Sequence, residues 1–273
     1  MRKTWLTDTF GTEKAAVGVL HLKALPTDPL YDKEGGMKKV IDAARYDLHA
    51  MQDGGIDGIL FSNEFSFPYV SEPSVEVISA LAYVIGCLSE EIEVPYGVGL
   101  IGDTDLCIGM NAACGGTFMR GSFGGAFAGN DGICTPDAGK LLRHRHALGL
   151  DDDLKMVHYV NHESCGYLGG LDYMTTAKSA VFGNLPDALG VTGECAGKKI
   201  PLDIMKDIKN EIPDMVYFAT TGVTIDSFKD VYSVADGAFI ASHFKVDGVF
   251  ENPVDPARVK AFMDALKEWR ADF

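Results

Sequence analysis

Short apolar runs in this chain end, one after another, on residues that can carry protons or hold anions. AAVGVLHL, from Ala15 to Leu22, contains His21 and leads to Lys23. GILFSNE closes on Ser62, Asn63 and Glu64. The run that begins at Tyr96 leads to Asp103, and FMRGSF, which begins at Phe118, carries Arg120. MVHYVNH, from Met156 to His162, supplies His158, Asn161 and His162. ALGVTGE leads to Thr192 and Glu194, with Cys195 beside it. The last two runs finish on Thr220, Thr221 and Gly222, and on Ala241, Ser242 and His243. Imidazoles and carboxylates converging on one mouth are what proton transfer needs, and a guanidinium there can hold an anion. Gly- and hydroxyl-containing turns offer backbone N–H groups to a phosphate.

Each residue also has a plainer reading. His21 sits behind an apolar run, where a histidine is as often a satisfied rim residue as a functional one. His158 lies deeper and reads as structural, hydrogen-bonded inside the barrel. Arg120 needs a partner, either a substrate anion or a carboxylate such as Glu64 or Asp103. Glu194, in the turn TGECAG, is either exposed to the cleft or simply solvated. His144 and His146, in LLRHRHALG, read as a solvated helix face. Glu194 argues against a reactive thiolate at Cys195, because a neighbouring carboxylate raises a thiol's pKa. Lys23 is the nearest candidate for a Schiff base and lies two residues past His21. No metal motif is present, yet by ligand type His21, Glu64, His162 and Glu194 could gather round a divalent metal. A cofactor is therefore not certain. There is no phosphate-binding P-loop and no GxGxxG after the first run, which disfavours ATP hydrolysis and Rossmann-type dinucleotide use.

The elements that must position these residues follow from periodicity. The eight runs are short and nearly continuous in apolar character, as strands buried on both faces are. Between them lie amphipathic stretches. Met37, Val40, Ile41, Ala44, Leu48 and Met51 form one helical stripe. Thr135-Pro136-Asp137, Pro201, Thr224 and Asp255-Pro256 read as helix starts. Strict alternation implies right-handed crossovers and a parallel sheet. Eight repeats within 273 residues favour closure into one (β/α)8 TIM barrel, a fold of roughly 250 residues. Residues 1–273 are read as one such domain. The longer connections, Lys23 to Gly36 and Gly121 to Thr135, follow strands and so belong on the C-terminal face, where barrel sites form.

Composition bounds the partners. A formal net charge of −15 argues against nucleic acid and against an anionic membrane surface. No apolar run approaches the ~20 residues that span a bilayer, and no signal peptide is evident. The six cysteines are scattered, which suits reduced thiols and a cytoplasmic location. The apolar C-terminal helix ending in Trp269 and Phe273 could pack on a second copy, so a homo-oligomer is open.

Several segments resemble the BtpA family, also called BtpA/SgcQ. They are VGVLHLKALPTDPLY, MQDGGIDGILFSNEF, AGKLLRHRHALG and SHFKVDGVFENPVDPARVKAFMDAL. The resemblance runs from about Ala15 to Leu266, and His-Leu-Lys-x-Leu-Pro and Glu-Asn-Pro-Val-Asp are its most specific pieces. It implies a phosphate-binding TIM barrel. Some members are linked to photosystem I biogenesis, and others sit among sugar-phosphate utilisation genes. His21, Lys23, Asn63, Arg120 and His162 fit the family pattern. The family's Gly-rich turn after the sixth strand is Thr192 to Gly197 here. Its Gly-Ser-Gly after the seventh is Thr220-Thr221-Gly222, and its Gly-Thr in the eighth is Ala241-Ser242. A divergent member with an altered ligand is the expectation.

The combined expectation is an enzyme acting on a small, phosphorylated, sugar-like molecule by acid–base isomerase or lyase chemistry. His21 or His162 would be the base, Glu64 or Glu194 its acid partner, and Arg120 the oxyanion or anion holder. Lys23, Asn63, Asn161, Thr221, Gly222, Ala241 and Ser242 would bind substrate and phosphate. The alternatives are a non-catalytic assembly or regulatory factor and a metal-assisted hydrolase.

Overall fold

A computed structural model describes residues 4–195 and 197–272. Eight parallel strands carry the barrel: β1 (Ala15–His21), β2 (Gly58–Ser62), β3 (Tyr96–Gly99), β4 (Phe118–Gly121), β7 (Lys155–Tyr159), β9 (Ala188–Val191), β10 (Val216–Ala219) and β11 (Gly237–Ile240). Their order is β3-β2-β1-β11-β10-β9-β7-β4. The ring closes between β3 and β4, where the Thr117 N–H donates to the Tyr96 carbonyl at 2.8 Å. Gly97 makes that approach possible, because a Cβ there would lie 2.0 Å from the Phe118 carbonyl oxygen. All eight apolar runs therefore correspond to barrel strands, each shorter at its C-terminal end than the apolar pattern suggested.

The strands divide their side chains by the period of two. Val17, Val19, Leu60, Phe118, Val157, Phe218 and Phe239 fill the lumen. Alternate residues such as Leu20, Phe61, Val98, Met119, Leu189 and Ile240 face the helices. Those helices are α2 (Gly36–Asp53), α3 (Val75–Leu88), α4 (Thr104–Cys114), α5 (Ala138–Ala147), α6 (Tyr173–Gly183), α7 (Leu202–Glu211), α8 (Phe228–Val234) and α9 (Pro256–Ala271). The stripe read on α2 does face the core through Val40, Ala44, Leu48 and Met51. Among the described residues no helix is long and apolar enough to cross a membrane.

Two features have no counterpart in the periodicity. Helix α1 (Trp5–Phe10) plugs the N-terminal end of the lumen. Leu6 and Phe10 are buried there, Phe10 lies 5.3 Å from Phe118, and Trp5 stacks on Phe218 at 6.0 Å. At the opposite end stands a small antiparallel sheet. Strands β5 (Phe127–Gly129) and β6 (Gly132–Cys134) form a hairpin in the connection after β4, and β8 (Cys165–Tyr167) joins them from the connection after β7. The long segment from Gly121 to Thr135 is thus ordered structure on the C-terminal face.

Some local expectations change. The cap of α5 is Asp137, which accepts from the Lys140 N–H at 3.1 Å, so Pro136 precedes the cap rather than following it. Thr224 forms a turn with Ser227, and α8 begins only at Phe228. Asp255 caps α9 with Pro256 in its first turn, as its sequence implies. Asp103 caps α4 by accepting from Asp105 and Leu106. On α5, His146 is exposed, but Arg145 is buried and pairs with Asp187 at 3.0 Å.

Candidate functional site

One register step above the apolar lumen, the same inward-facing rows become polar. Val19 is followed by His21, Phe118 by Arg120, Phe218 by Thr220, and Leu60 by Ser62 and then Glu64. These ends enclose a cavity of ≈ 130 Å³ at the C-terminal mouth. His21, Glu64, Arg120 and Glu163 line it on one side, the Thr220–Thr224 and Ala241–His243 turns on the other, and Phe250 caps it.

Arg120 is the hub. Its guanidinium donates to the Thr220 carbonyl at 3.2 Å and to Glu64 Oε1 at 3.4 Å. Its Cζ lies 4.9 Å from the centre of the Phe239 ring, a cation–π position. Of the two carboxylates offered as partners by the sequence, Glu64 is the one met. Glu64 Oε1 also accepts from the Ser62 hydroxyl at 3.1 Å. The Tyr69 hydroxyl donates to the Glu64 carbonyl at 3.0 Å and stands 3.5 Å from Oε2. Burial, and then the nearby Glu64 charge, push the Tyr69 phenol far up, so it stays a neutral donor.

His21 is buried against Phe250, with ring centres 4.8 Å apart, and Phe65, at 6.2 Å. Burial first, then Lys245, Arg120 and Lys23, hold its protonated form well below the ordinary imidazole range. The ring is therefore neutral near pH 7. Its Nδ1 meets no partner among the described residues. A neutral imidazole can donate or accept a hydrogen bond at a carbonyl, but it does not arrive as an imidazolium acid.

The opposite wall of the cavity is built from backbone. Gly222 takes φ +66°, and a Cβ there would lie 2.1 Å from the Lys198 carbonyl oxygen. Thr221 Oγ1 accepts from the Gly193 N–H at 2.6 Å and donates to the Lys198 carbonyl at 3.2 Å, locking this turn to the one after β9. The N–H groups of Gly222, Ser242 and His243 meet no acceptor among the described residues. They border the cavity.

Other residues drawn from the sequence lie outside this constellation. Lys23 donates to the Glu251 carbonyl at 2.9 Å and covers the Phe65 ring. Asn63 accepts from the Ile101 N–H at 2.8 Å and faces a separate pocket of ≈ 310 Å³ beside α3. Both ends of the Asn161 amide are spent on Thr192: it donates to the Thr192 carbonyl and hydroxyl and accepts from the Thr192 N–H. His162 Nδ1 lies 3.0 Å from the Glu163 carbonyl oxygen, and its ring packs on Phe127 and Tyr159. The Glu194 side chain is exposed, while its carbonyl accepts from the Ser164 N–H. His158 is structural, but it faces the helix layer rather than the lumen. Its Nδ1 accepts from the Phe123 N–H at 3.0 Å, and burial pushes the ring down to about 4. His21, Glu64, His162 and Glu194 do not converge, and among the described residues no three His, Cys, Asp or Glu side chains form a metal-ligand set.

Glu163 is the cavity residue that strand-end reading passed over. It stands four residues beyond the last residue of β7. Its parity matches the lumen-facing Val157 and Tyr159, whereas His162 has the parity of the outward His158, so the period of two held a usable signal. Burial pushes its carboxyl above the ordinary range, Arg120 opposes this, and Glu64 adds to it.

A closed parallel barrel with a charged cluster at its C-terminal mouth defines a TIM-barrel protein. Solved structures of this fold include the native KDPGal structure, with TM-score 0.56 and 14% identity over 97% of this chain and 100% of that one. Phosphoribosyl anthranilate isomerase from Thermus thermophilus matches with TM-score 0.56 and 10% identity over 93% and 99%. The chain belongs to the BtpA family, whose model matches residues 12–268. It is 41% identical to the putative sgc region protein SgcQ of Escherichia coli K12 over 98% of this chain and 99% of that protein. It is 27% identical to the photosystem I biogenesis protein BtpA of Synechocystis, over 96% and 91%.

Proposed function

We propose that this protein is an enzyme acting on a small phosphorylated, sugar-like substrate by acid–base chemistry next to a carbonyl, as an isomerase or lyase. One observation carries the reading: a single cavity is bordered both by unpaired backbone N–H groups, at Gly222, Ser242 and His243, and by a charged cluster centred on Arg120. The first suits a phosphate and the second a carbonyl that gains negative charge. In this reading Arg120 faces the developing oxyanion, Glu64 and the Thr220 carbonyl aim it, and neutral His21 hydrogen-bonds the substrate oxygen. A cavity of ≈ 130 Å³ lies below the roughly 300–1,000 Å³ of pockets for drug-sized ligands, which favours a small substrate over a nucleotide.

A thermal-shift series with inorganic phosphate, three- to six-carbon sugar phosphates and nucleotides tests this, because a ligand of the native state raises the melting temperature. A larger rise with a sugar phosphate than with inorganic phosphate is the expected result. No rise with any phosphate would overturn the reading. It would favour the alternative suggested by the Synechocystis relative's name, an assembly factor without turnover.

A further inference from the structure

The two carboxylates that border the cavity are held in different ways. Glu64 is held through Oε1, which accepts from the Ser62 hydroxyl and the Arg120 guanidinium. The Glu163 carboxylate has no hydrogen-bond donor among the described residues, although it is part-buried at the cavity wall beside that same cluster. Its backbone, by contrast, is tied. His162 Nδ1 meets the Glu163 carbonyl, the next residue's N–H donates to Glu194, and Cys165 then enters the small sheet opposite Gly129. A side chain without partners on a fixed backbone is an arrangement for a group that must change its protonation state and still hold its place.

We propose that Glu163 is the general acid–base residue of this site, moving a proton to and from the carbon next to the carbonyl of a small sugar phosphate. The proposal rests on the sugar-phosphate reading above and adds the proton carrier to it. In the step, a Glu163 carboxylate oxygen takes the proton and the C–H bond breaks. The electron pair passes to the carbonyl oxygen, forming an enolate that faces Arg120. The proton of the adjacent hydroxyl passes to the enolate oxygen as the Glu163 carboxylic acid returns its proton to the former carbonyl carbon, leaving the carbonyl one carbon along. No oxidant or further reactant is required. Burial raises the proton affinity of Glu163, and a carboxylate of raised affinity is the stronger base.

The test is deuterium exchange in D2O, followed by proton NMR. Dihydroxyacetone phosphate, ribulose 5-phosphate and fructose 6-phosphate are the probes. The wild-type protein is expected to wash deuterium into the carbon next to the carbonyl of at least one of them. Glu163→Gln should slow that exchange by about 100-fold or more, within the range for losing a general base. It should leave the melting-temperature rise with inorganic phosphate at its wild-type size. Glu163→Asp, which keeps a carboxylate, should recover part of the rate, and this separates loss of the proton carrier from loss of fold. The pH profile of exchange should show an acidic limb above the ordinary carboxylate range. A Glu163→Gln protein exchanging within threefold of wild type would overturn the proposal. Wild-type protein that binds phosphate but exchanges no probe would overturn the role of Glu163 while leaving the phosphate cradle intact. Protein that binds no phosphate at all would overturn both.

Discussion

The two ends of the barrel lumen are built from the same strands and do opposite things. At the N-terminal end, Phe10, Phe118, Phe218 and Phe239 pack with Leu6 and the valines into a dry cluster. Two residues further along, the same inward rows present Arg120, Thr220 and His21. The difference teaches that a period of two is enough to turn core into site. The plug underneath supplies a rigid floor, and the polar layer borrows its precision from that floor. Substitutions in the lower layer should therefore cost stability first and function second, and those in the upper layer the reverse.

The largest separation should come from Phe118→Ala. Truncating this fully buried ring should cost about 3–5 kcal/mol in urea unfolding. The protein that remains folded should still show a melting-temperature rise with phosphate, and loss of that rise would break the division between layers. Arg120→Ala is the mirror image. On the proposed reading, loss of the guanidinium that faces the oxyanion should lower turnover by about 10²–10³-fold, or roughly 3–4 kcal/mol. Its unfolding midpoint should move less than that of Phe118→Ala, and an Arg120→Ala protein that turns over normally would remove Arg120 from the site.

The next effect is on pH dependence. His158 titrates at about 4 in the folded protein against an ordinary 6.5. The unfolded chain therefore binds a proton that the native state refuses, and stability present above pH 6.5 is lost as pH falls toward 4. The loss from this group is about 3 kcal/mol. Urea unfolding at pH 7 and pH 4 measures it, and His158→Leu should flatten that drop. The same substitution strips the Phe123 N–H of its acceptor, at a cost of about 1–3 kcal/mol at pH 7. The smallest effect belongs to Gly222→Ala, where the new Cβ collides with the Lys198 carbonyl. A stability loss of about 1–3 kcal/mol is expected, together with a reduced shift by inorganic phosphate. An unchanged shift would mean that this turn does not hold the anion.

Much of this layout is legible in the sequence because parallel barrel strands advertise themselves as continuous apolar runs. The eight strands and the crowding of polar residues at their ends follow from that, whereas the partner of Arg120 stays open between a substrate anion, Glu64 and Asp103 until the structure places Glu64 beside it. What escapes is whatever depends on the chain after it leaves the strand. Asn63 has the outward parity of Phe61, so its amide serves the Ile101 loop. Glu194 has the inward parity of Thr192, yet its turn carries it into solvent. Glu163 also has inward parity, and a three-residue strand brings it back to the wall. Strands of three residues leave no periodic trace, and a six-residue plug helix ahead of the first strand reads as an ordinary terminus.

The β6-β5-β8 sheet has one more consequence. It stitches the connection after β4 to the connection after β7 through the antiparallel ladder of β5 with β8. Neither segment can swing away from the mouth without tearing or carrying the other. A displacement of either connection is therefore shared by the other. An insertion or a proline along Phe127–Gly129 would break the ladder to Cys165–Tyr167 and uncouple the two connections.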